Sequence, residues 1–310
     1  MKKKQFGLAL FAIRGISGLL NIFLLVFLLL IGAYAVYALW DTEQVIEGGS
    51  TKNYETFKPL LEEPSLEELE RINEDVVGWI TVYGTTIDYP VVQGRDNWEY
   101  IDKDVMGSYS LTGSLFLDSG NESDFSEYSS IIYGHNMTPQ VMFGSIREFL
   151  EKDFFDSHEY GSICFGGKLY GLRIFALLHE IQASDSGVYR NHVPEDEEDA
   201  YLRELLDRAF YSREAGTPRK IVLLSTCSPK TTNGRNILIA EVTDSVEDDS
   251  FAEKEETGTR PLFSADGWSM RDALPDIMWY CIFVILLIAI LVVIIRIVRM
   301  LIDARNRRMK

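Results

Sequence analysis

Two stretches of this chain carry no charged residue, Gly15 to Leu39 near one end and Ile277 to Ile295 near the other. At about 1.5 Å of rise per helical residue, each comes close to the roughly 30 Å of hydrocarbon in a bilayer. Whatever folds between them therefore folds on one side of a membrane, held at both ends. Lys2, Lys3, Lys4 and Arg14 precede the first run, and Arg296, Arg299, Arg305, Arg307, Arg308 and Lys310 end or follow the second. Basic flanks stay on the cytoplasmic side, so both termini are expected in the cytoplasm and the middle outside it. Ala33-Tyr34-Ala35 resembles a signal-peptide cleavage pattern. A signal h-region is only about 7 to 15 residues long, however, and this run is much longer, so a retained anchor is the reading taken.

The chain has 30 Lys and Arg against 47 Asp and Glu. Setting aside those ten basic residues and Asp303 leaves 20 basic against 46 acidic, a net charge of −26 on the segment between the spans. Such a surface repels phosphate, which argues against a nucleic-acid partner. Of the three cysteines, Cys281 falls inside the second run, leaving Cys164 and Cys227 outside. Cys164 precedes Gly166-Gly167 in a hairpin-like pattern and reads as a packing residue. No Cys and His lie at zinc-site spacing, so neither a metal nor a cofactor is implied.

Ser65-Leu66-Glu67-Glu68 forms a capping box, with Leu66, Leu69 and Ile72 as a helical stripe behind it. Short β-rich runs follow, at Trp79–Val82, Thr86–Val92, Ser114–Leu117, Ser129–Tyr133, Gly161–Phe165, Leu169–His179, Ile221–Ser225 and Ile237–Val242. Their turn spacing predicts a mainly β, mostly antiparallel barrel. Glu195 to Ala215 is the exception. Tyr201, Leu202, Leu205, Leu206, Ala209 and Phe210 recur at helical spacing between Pro194 and Gly216, and the acidic run Glu195–Asp199 suits a helix N-terminus.

The chemistry concentrates at strand ends. Cys227 closes the run Ile221-Val222-Leu223-Leu224-Ser225-Thr226-Cys227 and is followed by Ser228-Pro229, so it sits where a strand breaks into a loop. Most cysteines are small buried hydrophobes, and an arginine before an apolar strand is usually an edge charge. A thiol nucleophile, though, needs a proton partner and a fixed positive group for the oxyanion. His135, in Tyr133-Gly134-His135, and Arg235, in Asn233-Gly234-Arg235-Asn236, are candidates for those two roles. His179 reads as packing within a strand, His158 and His192 as solvent-exposed. A papain-like hydrolase places its Cys before its His, the reverse of the order here.

Leu-Ser-Thr-Cys, the Arg before the next strand and the upstream Gly-His-Asn together resemble a sortase, the cysteine transpeptidase of Gram-positive surfaces. Ile87-Asp88-Tyr89-Pro90-Val91-Val92-Gln93-Gly94, Asn97 with Tyr100, and Gly113-Ser114-Leu115-Phe116-Leu117-Asp118 resemble class B members in particular. The similarity runs from about Leu66 to Val242. Leu223 stands where many sortases have Thr. The segment around Leu39-Trp40-Asp41 lacks the Asp-Pro-aromatic lid of the pilus-building class C enzymes, although a second, C-terminal anchor is commoner among pilus builders.

The resemblance implies a sortase-like antiparallel barrel with an N-terminal helix and a helix inserted before the Cys strand, flanked by one transmembrane helix at each end. It divides the chain into a tail and anchor (1–40), an extracellular stalk (41–64), a catalytic domain (65–245), an acidic linker (246–276) and a second span with a basic tail (277–310). It implies cleavage of the C-terminal sorting signal of exported surface proteins or pilins through a Cys227 thioacyl intermediate, with His135 and Arg235 assisting. The acyl group would then pass to an amine of a peptidoglycan precursor or a pilin Lys. The rival is an inactive sortase-like binding or scaffold protein.

Overall fold

The computed structural model describes residues 2–59, 65–137, 141–227 and 233–252. The second apolar run and the acidic stretch after Ala252 lie outside them. The chain divides into two compact units, one of Met1–Asp41 with Gly258–Lys310, the other of Thr42–Thr257. Helix α1 spans Lys2–Gly48, and its stretch Gly18–Thr42 is long and apolar enough to cross a membrane. Leu19, Phe23, Leu30 and Trp40 are all exposed on it. An apolar helix with no single buried face is not a core element, and its composition suits a membrane anchor or a signal sequence.

The second unit is a closed barrel. Its strands are β1 (Val76–Val82), β2 (Asp88–Val92), β3 (Leu115–Leu117), β4 (Ser129–Gly134), β5 (Tyr160–Phe165), β6 (Lys168–Gln182), β7 (Tyr211–Ser212), β8 (Ile221–Cys227) and β9 (Gly234–Thr243). The order β5-β1-β2-β3-β4-β8-β9-β6, closed by pairing of β5 with β6, makes an eight-stranded ring, with β7 added on β6. Closure removes the open edges that would invite pairing with other chains. Among the described strand pairs, only β2–β3 and β4–β8 are parallel. The β5–β6 hairpin turns at Gly166 and Gly167, with φ of 56° and 70°, the left-handed pair that a two-residue hairpin turn demands. Beside it, Cys164 is fully buried, as the sequence suggested.

Both faces of β8 are covered. Val222 and Leu224 enter the barrel core with Leu115, Ile132 and Leu238, while Ile221 and Leu223 pack outside with Tyr201, Leu205 and Ile239. A strand buried on two faces reads as a continuous apolar run rather than an alternation, which is the pattern seen before Cys227. Leu223, the departure from the family pattern, is wholly buried in that outer core.

Among the described residues the other α-helices are short: α2 (Glu67–Ile72), α3 (Lys152–Ser157) and α4 (Glu198–Asp207). Leu66, not Ser65, is the N-cap of α2 and makes no side-chain cap bond, so the expected capping box is not formed; Ser65 Oγ accepts the Glu67 N–H at 3.3 Å from one residue further out. Leu66 and Leu69 are buried, but Ile72 is half exposed because six residues of helix cannot carry the stripe further.

Several expectations need correction. The inserted helix stops at Asp207 instead of continuing to Ala215. Tyr211 and Ser212 pair with Leu177 and Ala176 on β6, whose open side offers a ladder that outcompetes further helical turns. Part of the expected stalk is packed: Tyr54 is buried in the barrel core, and the Tyr89 hydroxyl donates to the Gly49 carbonyl at 2.9 Å. His158 is buried rather than exposed, sandwiched between Phe154 and Phe251 at ring separations of 3.7 and 4.6 Å. Phe251 belongs to the acidic linker, so the linker's first residues lie against the domain. His192 is exposed, as read.

Candidate active site

Strand register assembles the three candidate residues. In the parallel β4–β8 ladder Ser129 pairs with Ile221 and Gly134 with Thr226. The next residues are His135, just past the end of β4, and Cys227, the last residue of β8. In the antiparallel β8–β9 ladder the last pair is Cys227 with Arg235. Neighbouring strands lie about 4.8 Å apart, so His135, Cys227 and Arg235 form a short row across three adjacent strands at one end of the barrel.

His135 is half buried, and its Nε2 lies 2.8 Å from the Ile101 carbonyl oxygen. A carbonyl only accepts, so Nε2 carries the proton and Nδ1 is the basic nitrogen of the neutral ring. Gly113 permits this placement. It sits at φ 58°, and a Cβ there would come within 2.3 Å of the Ile101 oxygen. Gly134 also matters for packing: a Cβ on it would meet the Leu115 side chain at 2.4 Å and the Phe143 side chain at 2.7 Å, so any larger residue would have to displace them where the chain leaves β4. The His135 carbonyl then accepts the Phe143 N–H at 3.0 Å.

Arg235 is also half buried and lies between β8 and β6, where Ile181 is its partner. A bulge separates Leu178 from Ile181, with Glu180 at φ 56°. Asn236 pins it: its Oδ1 accepts from His179 Nδ1 at 2.8 Å and lies 3.5 Å from the Glu180 amide. Bulges of this kind commonly re-aim side chains beside active sites. Among the described residues, the Asn236 Nδ2 and the Oγ1 of its register partner Thr226 are buried without hydrogen-bond partners.

A polar cluster lies beside the row, built from residues to which the sequence alone assigns no role. The buried Asp118 carboxylate accepts from the Tyr133 hydroxyl at 2.9 Å and Asn97 Nδ2 at 2.9 Å through one oxygen. Through the other it accepts from the Gly120 amide at 2.8 Å and Asn191 Nδ2 at 3.2 Å. Burial, then the charge of Asp118, drives the Tyr133 phenol far above its usual pKa, so it remains a donor. The Tyr133 ring stacks near Tyr189, whose hydroxyl lies 2.9 Å from Ser225 Oγ. Only the register could have exposed this cluster, because its members are scattered from 97 to 225.

Cys164 retains its thiol, with a pKa pushed up to about 11 chiefly by burial. Among the described residues no His/Cys/Asp/Glu group is placed to hold a metal ion. A cavity of about 680 Å³, lined by Lys52, Lys58, Tyr83, Asp249 and Phe251 among others, includes none of the three row residues. Chemistry rather than cavity size therefore marks the site.

No family model matches the sequence. Sortase B of Listeria monocytogenes is 36% identical over 166 residues, 52% of this chain and 66% of that protein, just under two thirds of its length. Among solved structures, sortase B from the type II pilus of Streptococcus pneumoniae is 41% identical with a TM-score of 0.51, covering 58% of this chain and 99% of that one. A class B sortase of Streptococcus pyogenes involved in pilus biogenesis is 39% identical with a TM-score of 0.52, over 57% and 97%.

Proposed function

The chain belongs to the class B sortases, and from that membership we propose that it is a membrane-anchored transpeptidase in which Cys227 is the nucleophile, His135 the proton carrier and Arg235 the oxyanion partner. The observation that supports this reading is the register: backbone position 227 pairs with 235 and follows the pair of Gly134 with Thr226, which sets positions 135, 227 and 235 side by side along the barrel end.

The Cys227 thiolate attacks the carbonyl carbon of a peptide bond in the sorting signal of an exported protein. The oxyanion forms beside Arg235, whose permanently charged planar group suits it. Protonated His135 gives its Nδ1 proton to the leaving amine, the C–N bond breaks, and a thioester to Cys227 remains. The Ile101 carbonyl keeps hold of Nε2–H in both protonation states, so the ring need not turn between steps. An incoming amine then attacks the thioester and loses a proton to His135. A new amide bond forms and the thiolate is restored. The amine belongs to a peptidoglycan precursor or to a pilin lysine, and water competes as the hydrolytic side reaction.

The apolar stretch Gly18–Thr42 is read as a retained anchor, and the second run, Ile277 to Ile295, as a C-terminal span. With basic residues beyond both, the termini are cytoplasmic and the barrel extracellular. Reporter fusions at each terminus and a tag near Asp249 test the topology. An external C-terminus would remove the second span from the account.

The enzymatic reading is tested with the full chain in detergent and peptides taken from C-terminal sorting signals of Gram-positive surface proteins. Cys227→Ala is expected to abolish cleavage while Cys164→Ala retains most of it. Cleavage surviving in Cys227→Ala would leave an inactive or differently active barrel as the better description.

A further inference from the structure

Asp118 has chemistry to spare. Its side chain is buried, yet four neutral donors meet its two oxygens and no cation does so among the described residues. A buried carboxylate held this way tolerates only an acceptor in its place, because each oxygen faces two donors. Its backbone is fixed as well, with its N–H on the Ile131 carbonyl and its own carbonyl accepting from Gln93 Nε2 at 3.0 Å.

What it holds lies next to the catalytic row. Tyr133 is two residues before His135 on β4, and it pairs with Ser225, two residues before Cys227 on β8. Asn191 belongs to the segment whose Tyr189 hydroxyl reaches Ser225. A single carboxylate thus ties the β4 end directly and the β8 end through two tyrosines.

Building on the transpeptidase reading, we propose that Asp118 is a positioning residue that aligns His135 with Cys227 by clamping Tyr133 and the Asn191 segment. Its role is exerted through Tyr133 rather than on the reacting groups. The acceptor chemistry explains why a carboxylate rather than an amide stands there: Asp118→Asn would turn an NH2 toward two donors and break the clamp without removing bulk.

The test uses the full chain with Asp118→Asn, Tyr133→Phe and the double variant. The first readout is the pH dependence of Cys227 alkylation by iodoacetamide, mapped by mass spectrometry, which needs no sorting substrate. The second is kcat and KM on a sorting-signal peptide, with melting temperature as a check on folding. Both single variants are expected to shift the alkylation midpoint by about half a pH unit or more, because the thiol's proton partner moves. Each is expected to lower kcat/KM at least about tenfold, mostly in kcat, and the double variant to lose no more than Asp118→Asn. An unchanged alkylation profile, or additive losses in the double variant, would overturn the proposal. Should Asp118→Asn not fold, Tyr133→Phe removes one hydroxyl and carries the same readouts. A wild-type chain that cleaves no peptide would sink the transpeptidase reading, and the alkylation profile would still decide Asp118.

Discussion

Cys227 and Arg235 are register partners, the last pair of the β8–β9 ladder. Arg235 therefore sits on the strand next to Cys227, its backbone held by the ladder instead of by a loop. If it stabilises charge that develops only in the transition state, geometry matters as much as sign. Arg235→Lys keeps the charge and loses the planar fork, and is expected to lower kcat/KM at least about tenfold, roughly 1.4 kcal/mol. Steady-state kinetics on a sorting-signal peptide check this, and an unchanged value would return Arg235 to the role of an edge charge.

The two cysteines of the second unit should differ sharply in reactivity. Burial, with a smaller contribution from Glu70, pushes the Cys164 thiol up to about 11, so at pH 8 it is almost wholly protonated as well as enclosed. Iodoacetamide at pH 8 is expected to label Cys227 and spare Cys164 in the folded chain. Equal labelling of both, read by peptide mapping, would contradict the packing seen around β5.

Gly113 is expected to act on His135 at a distance in sequence. Any Cβ there meets the Ile101 oxygen, and the positive φ penalises other residues further. Gly113→Ala should displace the carbonyl that holds Nε2, and nitrogen NMR of the four histidines should show His135 losing its single Nε2–H tautomer. Retention of that tautomer in the variant would detach Ile101 from the mechanism.

Alkaline pH offers a separate check on the packing of the segment after α1. Tyr89 donates to Gly49 and accepts from the Met142 amide, and burial pushes its pKa to about 12. The folded value lies above the unfolded one of about 10, so the neutral phenol's contribution is complete below about pH 10 and is lost as pH rises toward 12. The melting temperature is expected to fall across that window, and less steeply in Tyr89→Phe. Tyr54 and Tyr201 shift in the same direction, so the difference between the two proteins is the quantity to read.

Much of this architecture was legible because local rules and tertiary structure agreed. Each β-rich run became a strand within a few residues, and the Gly166-Gly167 turn fell where expected. The row of His135, Cys227 and Arg235 was legible as residue types at strand ends, while its assembly required the β4–β8 register. Misreadings occurred where tertiary partners overrode local pattern. Tyr211 and Ser212 left a helical periodicity for the edge of β6. Tyr54 was drawn into the barrel core from a polar segment, and His158 was buried by two phenylalanines far apart in the chain, Phe154 and Phe251. The Asp118 cluster had no local signal, since hydrogen bonding across the ends of three strands leaves no periodicity in sequence.

The central claim is that Cys227 carries an acyl group between a peptide and an amine. The most direct measurement incubates the full chain with a sorting-signal peptide, with and without a peptide amine that copies a cell-wall cross-bridge or a pilin lysine segment, and follows all species by mass spectrometry. An amine nucleophile must compete with water at tens of molar, so it must be bound and oriented. The account predicts an acyl adduct on Cys227, faster turnover when amine is present, and a ligated product. An adduct on Cys227 that yields only the hydrolysed acid, at a rate no tested amine changes, would contradict it and make the chain a membrane-anchored cysteine peptidase on a sortase barrel.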